Sequence, residues 1–244
     1  MVTIHHCRSR RFRRSMVRSF RGVDAQGCFA VGCKGRVGTA MTIQVSEVSC
    51  AFGERMVLQT FTATFRAGRI TALTGPSGSG KTTLLNMMGG LTTPDSGTIE
   101  FKGLDIASMN SGARRKFRRA NVGYLFQDYG LVPDLSVLEN IKIAVPRISR
   151  ERVAAALAAV GLGGTETRTV SELSGGEQQR IALARLILAQ PKIVLADEPT
   201  GALDEANAQL VLKHLRQFAQ DGAVVVVATH SSYIADNSDG VVEL

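Results

Sequence analysis

A glycine-rich run, GPSGSGKT, occupies residues 75–82 and constrains the fold more than any other part of the chain. The apolar segment 69–74 precedes it, and an apolar segment with helical spacing, residues 83–88, follows it. This order matches the P-loop pattern, in which a strand leads into a loop that begins a helix. The sequence therefore predicts a strand–loop–helix unit of the α/β class.

The P-loop residues have the chemistry of a phosphate site. Glycines let backbone N–H groups turn toward phosphate oxygens without a β-carbon in the way, and the following helix directs its positive end at them. Lys81 would contact the β- and γ-phosphates, and the hydroxyl of Thr82 would bind Mg²⁺. We predict that nucleotide phosphates contact Gly75, Pro76, Ser77, Gly78, Ser79, Gly80, Lys81, Thr82 and Thr83.

The formal net charge of +8 comes from one end of the chain. Residues 1–40 hold nine of the 29 basic side chains and one of the 21 acidic ones, so residues 41–244 hold 20 of each. A basic groove across the folded domain is therefore not expected, and no nucleic-acid partner is predicted. Three of the four cysteines also lie in residues 1–40, in no spacing typical of zinc or of a disulfide framework.

Residues 1–40 contain no periodic apolar face, so we expect a disordered segment there and a folded domain at 41–244. Met41 would serve as a start codon, which makes an over-long gene start one interpretation of the first 40 residues. A targeting or membrane-surface tail is the other.

Short β-branched runs alternate with helical stretches from residue 41 onward, which predicts a largely parallel sheet flanked by helices. The predicted core strands are residues 70–74, 122–126, 193–196 and 223–229, and the alternation that begins at Met41 predicts an edge strand. Residues 135–188 are rich in Ala and Leu at helical spacing, which indicates a helical subdomain inserted in the sheet domain. No apolar run reaches the length of a membrane helix, about 20 residues.

The run LSGGEQQR at residues 173–180 places a hydroxyl and two glycines before an amphipathic helix. Ser174, Gly175 and Gly176 could therefore form a second phosphate site at a helix N-terminus. The alternative is that Ser174 simply caps the helix that runs to residue 188.

A second polar cluster follows apolar strands. The run IVLADEP at 193–199 ends a strand in two carboxylates, Asp197 and Glu198, whose desolvation requires a cation or a proton transfer. His230 follows the strand at 223–229. A lone histidine at such a position is usually structural, but 32 residues after Glu198 it could also face the same site.

Together these motifs resemble those of ATP-binding-cassette (ABC) proteins, in which a P-loop occurs with an LSGGQ signature. The resemblance covers residues 42–244, with six motifs in the family's order, and it implies a P-loop NTPase sheet domain of ABC type with an inserted helical subdomain. Ser231 after His230, and Thr169-Val170 before the signature, depart from the commoner pattern without removing a catalytic group.

The resemblance also implies roles. Asp197 would hold Mg²⁺, Glu198 would act as general base, and His230 would contact the γ-phosphate. Gln127 resembles the Q-loop glutamine that reaches Mg²⁺ and the attacking water, and Asp204 ends a GALD run that resembles the D-loop. Phe52 resembles the aromatic residue that stacks on adenine, although a core position on a strand is the alternative. The implied catalytic residues are Lys81, Gln127, Glu198 and His230, and the implied metal ligands are Thr82, Gln127 and Asp197.

The runs GYLFQDYGLVPDLSVLENI and ADEPTGALDE are similar to those of the bacterial subgroup for lipoprotein release, macrolide or bacteriocin export, and division-associated complexes. This implies an ATPase bound peripherally at the cytoplasmic face of the cell membrane. It would form a head-to-tail homodimer around two ATP and drive a separate integral-membrane permease. A division-type regulatory complex that moves a membrane partner without transport is the alternative. Only 93 residues separate Lys81 from Ser174, which disfavours the repair ATPases that carry a long coiled coil there.

One basic cluster lies just before the segment 122–126: Arg114, Arg115, Lys116, Arg118 and Arg119. A helix with a solvated face is the simpler interpretation. Contact with anionic lipid headgroups is the alternative, because a subunit docked on a permease lies close to the membrane surface.

Removal of residues 1–40 is expected to leave ATP hydrolysis unchanged, because this segment contains none of the motifs. A protein that starts at Met41 should match the full chain in steady-state ATPase rate. A clear loss of turnover, with an unchanged circular dichroism spectrum, would contradict both interpretations of the segment.

Overall fold

The structure is a computed structural model that describes residues 41–200 and 205–244. The predicted tail at 1–40 and Asp204 of the predicted D-loop lie outside the described residues. The strands are β1 Thr42–Phe52, β2 Arg55–Arg66, β3 Arg69–Thr74, β4 Ser96–Phe101, β5 Leu104–Asp105, β6 Val122–Leu125, β7 Ile193–Asp197, β8 Val224–Ala228 and β9 Gly240–Glu243. The helices are α1 Lys81–Met88, α2 Ser111–Asn121, α3 Val137–Ala144, α4 Arg150–Ala159, α5 Gly175–Ala189, α6 Glu205–Gln220 and α7 Ser232–Asp236, with a 3₁₀ turn at Val170–Glu172.

A parallel sheet of five strands, in the order β6-β7-β8-β3-β9, forms the centre of the domain. All five positions of β7 and of β8 are buried, as expected for strands covered on both faces. The four predicted core strands are confirmed as β3, β6, β7 and β8. The fifth strand, β9, was not predicted, because its four residues are too short for a periodic signal.

A second sheet, antiparallel and in the order β2-β1-β4-β5, covers part of the domain. The predicted edge position of β1 is wrong, because β1 pairs with β2 on one side and with β4 on the other. Alternation along β1 identifies its buried face but carries no information about neighbouring strands. At a bulge near Glu47, strand β4 passes so close that a β-carbon at Gly97 would lie 2.5 Å from the Glu47 carbonyl oxygen.

Two apolar clusters lie on opposite faces of the parallel sheet. On β8, Val225 and Val227 belong to the cluster that contains the side chains of α3 to α6, while Val224 and Val226 belong to the cluster with α1, α2 and the antiparallel sheet. Each fully buried valine contributes about 1.5 to 3 kcal/mol relative to an exposed one. The parallel sheet is thereby held rigidly between two layers.

The helices α3, α4 and α5 lie in the segment where helices were predicted. Ser136 is the N-cap of α3 and Ser174 is the N-cap of α5, each with a capping box that pairs it with a glutamate three residues later. Because α5 contacts α3 and α4 as well as β6 and α6, it belongs to both parts of the domain. The boundaries 135 and 188 of the helical subdomain stay a prediction.

The basic cluster lies on α2, as predicted. Arg114 donates to the Met109 carbonyl oxygen at 2.9 Å and Arg118 donates to that of Gly90 at 2.6 Å, so these two cations fix the helix in place. Arg115, Lys116 and Arg119 are exposed. Their contact with lipid stays a prediction. None of the helices in residues 41–200 and 205–244 combines the length and the apolar character needed to cross a bilayer.

Candidate active site

An open cavity of about 460 Å³ lies where the parallel strands end. It is bordered by eleven residues predicted for the site: Phe52, Ser77, Gly78, Gly80, Lys81, Thr82, Thr83, Gln127, Asp197, Glu198 and His230. Gly75, Pro76 and Ser79 belong to the same loop without bordering the cavity. The structure therefore brings the P-loop, both carboxylates, the glutamine and the histidine to one place.

The P-loop requires glycine at three positions. Gly75, Gly78 and Gly80 have φ angles of 142°, 79° and 98°, in the region that other residues adopt only with strain. A β-carbon at Gly75 would also lie 2.5 Å from the Leu244 carbonyl oxygen. The hydroxyl of Ser79 is buried without a hydrogen-bond partner among the described residues, which leaves it available for a phosphate oxygen.

Lys81 is 7% exposed, and its ammonium group lies inside the curve of the loop. It donates to the carbonyl oxygens of Gly75, at 2.9 Å, and Pro76, at 3.0 Å. Helix α1 begins at Lys81, so its N-terminus faces the same space. A loop with a central cation and a helix N-terminus is suited to bind a polyphosphate.

Asp197 ends β7 and is 7% exposed. Burial raises the pKa of its carboxyl group, while a hydrogen bond from Thr82 and the charge of Lys81 oppose this effect. No cluster of three or more His, Cys, Asp or Glu residues is present in the part of the chain that the structure describes. One carboxylate beside a hydroxyl fits Mg²⁺, which usually completes its shell with substrate phosphates and water.

Glu198 has a φ angle of 45°, in the left-handed region. Its amide donates to the Ala228 carbonyl oxygen at 2.9 Å, which anchors the residue to β8. Its Oε2 accepts from the Thr229 hydroxyl at 3.4 Å and from the His230 amide at 3.3 Å. Its Oε1 is buried, 3.6 Å from Nε2 of His230, without a hydrogen bond within the described residues. Glu198 thus borders the cavity with one carboxylate oxygen that no hydrogen bond within the described residues uses.

The signature residues are not part of this cavity. Ser174 caps α5: its hydroxyl donates to Glu177 Oε2 at 2.8 Å and accepts from the Glu177 amide at 3.3 Å. Gly175 and Gly176 begin the same helix, away from the cavity lining. Within one chain Ser174 therefore acts as a helix cap, and its role as a phosphate ligand stays a prediction that requires a second chain.

Two further residues, Arg55 and Val57 of β2, border the cavity and were not predicted. The guanidinium of Arg55 lies 3.1 Å from the position of a β-carbon at Gly78, so it approaches the P-loop. A single arginine in a strand has no distinctive spacing, and the partner strand was not predicted. No signal in the sequence could have identified it.

Comparison with known proteins agrees with this geometry. The family model described as ABC transporter matches residues 58–201. The chain belongs to the ABC transporter family. The lipoprotein-releasing system ATP-binding protein LolD 1 of Rhodopirellula baltica is 41% identical to it over 211 residues, which are 82% of this chain and 92% of that protein.

The macrolide export ATP-binding/permease protein MacB of Escherichia coli is 39% identical over 212 residues, 83% of this chain. The chain spans 33% of the length of that relative. These likenesses confirm the predicted family and subgroup.

Among solved structures, a dimeric post-hydrolysis state of the ATP-binding cassette MJ0796 with ADP and Pi has a TM-score of 0.77 and 30% identity. The likeness covers 83% of this chain and 94% of that chain. A bacterial Atm1-family ABC exporter with ATP bound has a TM-score of 0.74 and 29% identity, over 85% of this chain and 38% of that chain. The predicted ABC-type P-loop fold is therefore confirmed.

Replacement of Phe52 by alanine is expected to weaken ATP binding by about 5- to 150-fold, which corresponds to the 1 to 3 kcal/mol of a base stacked on an aromatic ring. Phe52 is 60% exposed at the edge of the cavity, so the free energy of unfolding should change little. Titration with a fluorescent ATP analogue measures the affinity. Met56→Ala is the matched control, because Met56 is 55% exposed on the adjacent strand and does not border the cavity. Equal losses in the two variants would contradict the stacking role.

Proposed function

We propose that this protein is the ATP-hydrolysing subunit of a bacterial ABC exporter, driving a separate membrane permease for a peptide, lipoprotein or drug. One observation carries the proposal. The P-loop, Asp197, Glu198 and His230 meet in one cavity, whereas the signature lies on a different surface. This separation is expected if each nucleotide site is formed by the P-loop of one chain and the signature of another.

The cavity supports a chemical sequence for hydrolysis. The P-loop amides and Lys81 hold the β- and γ-phosphates, and Thr82 and Asp197 would hold Mg²⁺ together with Gln127. The metal would neutralise charge on the phosphate oxygens. Glu198 orients a water molecule and accepts its proton as the water oxygen attacks the γ-phosphorus, so that the bond to ADP breaks. His230, whose side chain is half-exposed beside Glu198, would contact the γ-phosphate.

A second copy of the chain would complete each site. The signature of one protomer would meet the P-loop of the other, with Asp204 nearby, so a two-fold axis produces two equal nucleotide sites. The amides of Gly175 and Gly176 stand at the start of a 15-residue helix, whose positive end would face the γ-phosphate. The dimeric state of the MJ0796 cassette supports this arrangement.

The permease and the location belong to the same proposal. The relatives are named for macrolide export and for lipoprotein release, which favours export over a purely regulatory role. We place the protein peripherally at the cytoplasmic face of the cell membrane. The region 127–137 after β6, which begins at Gln127 in the cavity, would transmit movement between nucleotide and permease.

Replacement of Glu198 by glutamine is expected to leave ATP binding intact and to lower the hydrolysis rate by about 10² to 10⁴-fold, as for the loss of a general base. The P-loop is unchanged, so the variant should still bind ATP. Because the bound ATP is not hydrolysed, the closed dimer should accumulate. Size-exclusion chromatography with and without ATP measures this dimer. A variant that remains monomeric and hydrolyses ATP at the normal rate would exclude Glu198 from the mechanism.

Mixing Lys81→Ala with Ser174→Arg protomers is expected to restore part of the ATPase activity that each lacks alone. In a mixed dimer one site contains both defects and the other contains neither, because each site takes its P-loop and its signature from different chains. Turnover and the amount of nucleotide trapped per dimer should be measured together, since strict cooperativity between sites would hide the rescue in turnover alone. Normal hydrolysis by Ser174→Arg alone would exclude the shared site.

A further inference from the structure

A turn in the region after β6 lies directly against the signature helix α5. Tyr129 and Gly130 form this turn, with φ angles of 63° and 55°. Arg185 of α5 donates from Nη2 to the Tyr129 carbonyl oxygen at 2.6 Å and from Nη1 to the Gly130 carbonyl oxygen at 2.7 Å. One side chain therefore holds two consecutive carbonyl groups of the turn.

The turn needs such a partner because its backbone is strained. A tyrosine in the left-handed region is uncommon, and that conformation costs free energy relative to an extended or helical one. The planar guanidinium presents two parallel N–H donors, which a lysine ammonium cannot reproduce. Gly130 is also tightly enclosed, since a β-carbon there would lie 2.9 Å from Cδ2 of Phe126. The geometry of the turn therefore depends on Arg185.

Arg185 is not held there by an ion pair. No carboxylate pairs with its guanidinium anywhere in residues 41–200 and 205–244. Burial lowers the pKa of the group, which shows that the charge loses hydration at this position. Removing a charged group from water costs free energy, which the hydrogen bonds to two carbonyl groups offset only in part. An apolar residue could pack against the turn without this desolvation cost, so packing alone does not explain an arginine here.

The same turn has a second contact with α5. The hydroxyl of Tyr129 lies 3.2 Å from the position of a β-carbon at Gly175, the second residue of the signature triplet. Gly175 and Arg185 are ten residues apart, or roughly 15 Å along the helix. The turn thus lies close to the first residue of the signature helix and is hydrogen-bonded to its eleventh residue, Arg185.

We propose that Arg185 is a positioning residue that makes the Tyr129–Gly130 turn and the signature helix move as one unit. The inference rests on the proposed function. When the permease displaces the region 127–137, Ser174 to Gly176 would move with it relative to the nucleotide of the opposite protomer. Without Arg185 the turn would relax, and the signature residues would no longer be held in the position needed to contact the γ-phosphate.

The test compares Arg185→Met, which keeps length and removes the donors, with Arg185→Lys, which keeps the charge. Arg216→Met is the matched control, because Arg216 also uses two guanidinium nitrogens to hold a loop: it donates to Asp239 Oδ2 at 2.6 Å and to the Asn237 carbonyl oxygen at 2.5 Å. Neither Arg185 nor Arg216 borders the nucleotide cavity. Each variant is made in the full chain, with and without Glu198→Gln. Four quantities are measured: melting temperature, ATP affinity of the monomer, ATP-driven dimerisation and kcat.

We expect both Arg185 variants to lower kcat, and to raise the protein concentration needed for the ATP-driven dimer, by about tenfold or more, the scale of a misplaced catalytic group. Monomer ATP affinity should stay within about twofold, because the P-loop is untouched. Arg216→Met should lower the melting temperature without changing kcat or dimerisation.

If Arg185→Met resembles Arg216→Met, Arg185 has a purely structural role and the inference is wrong. If Arg185→Met does not fold, Arg185→Lys decides between the two outcomes by the same measurements. If Glu198→Gln alone forms no ATP-driven dimer, the proposed function fails, and the inference with it.

Discussion

The direction of five strands determines the whole site. Because β6, β7, β8, β3 and β9 are parallel, their carboxyl ends meet at one edge, where β6, β7, β8 and β3 each deliver a different part of the site. Backbone hydrogen bonds fix these ends against one another: the Glu198 amide donates to Ala228, and the Thr229 amide donates to Leu73. Glu198, His230 and the P-loop are therefore positioned first of all by the register of the sheet.

Much of this arrangement could be predicted because the central strands are buried on both faces. Such strands appear as continuous apolar runs, so β7 and β8 were visible, and the polar residues that follow them were obvious candidates for the site. The strands that pair with β1 could not be predicted, because alternation identifies the buried face of a strand and not its neighbours. Ser174 stayed ambiguous for a different reason: capping a helix and binding a phosphate at its N-terminus require the same residue. Arg185 could not be assigned at all, since its partners are backbone carbonyl groups, which have no sequence signal.

The separation of the signature from the cavity has a physical reason. A helix N-terminus attracts anions only over its first turn, so it can act on the γ-phosphate only by close approach. If both surfaces lay within one chain, ATP would stay bound to both at all times. In the proposed dimer the two surfaces lie on different protomers, so bound ATP would add to the contact between chains and hydrolysis would remove part of it. The chemical step would thus be coupled to a movement of one protomer relative to the other.

The left-handed backbone of Glu198 has a consequence for selection. A side chain other than glycine in that region costs about 1 kcal/mol or more, and asparagine tolerates it better than glutamate does. Glycine or asparagine at position 198 would therefore be rewarded in any screen that scores only resistance to heat. A library enriched for thermostable folds would lose the carboxylate at this position wherever the relief of strain exceeds the loss of the hydrogen bonds that Oε2 accepts. Thermal selection on this scaffold should therefore be paired with a measurement of ATP turnover, because variants without this carboxylate are expected to bind ATP and not to hydrolyse it.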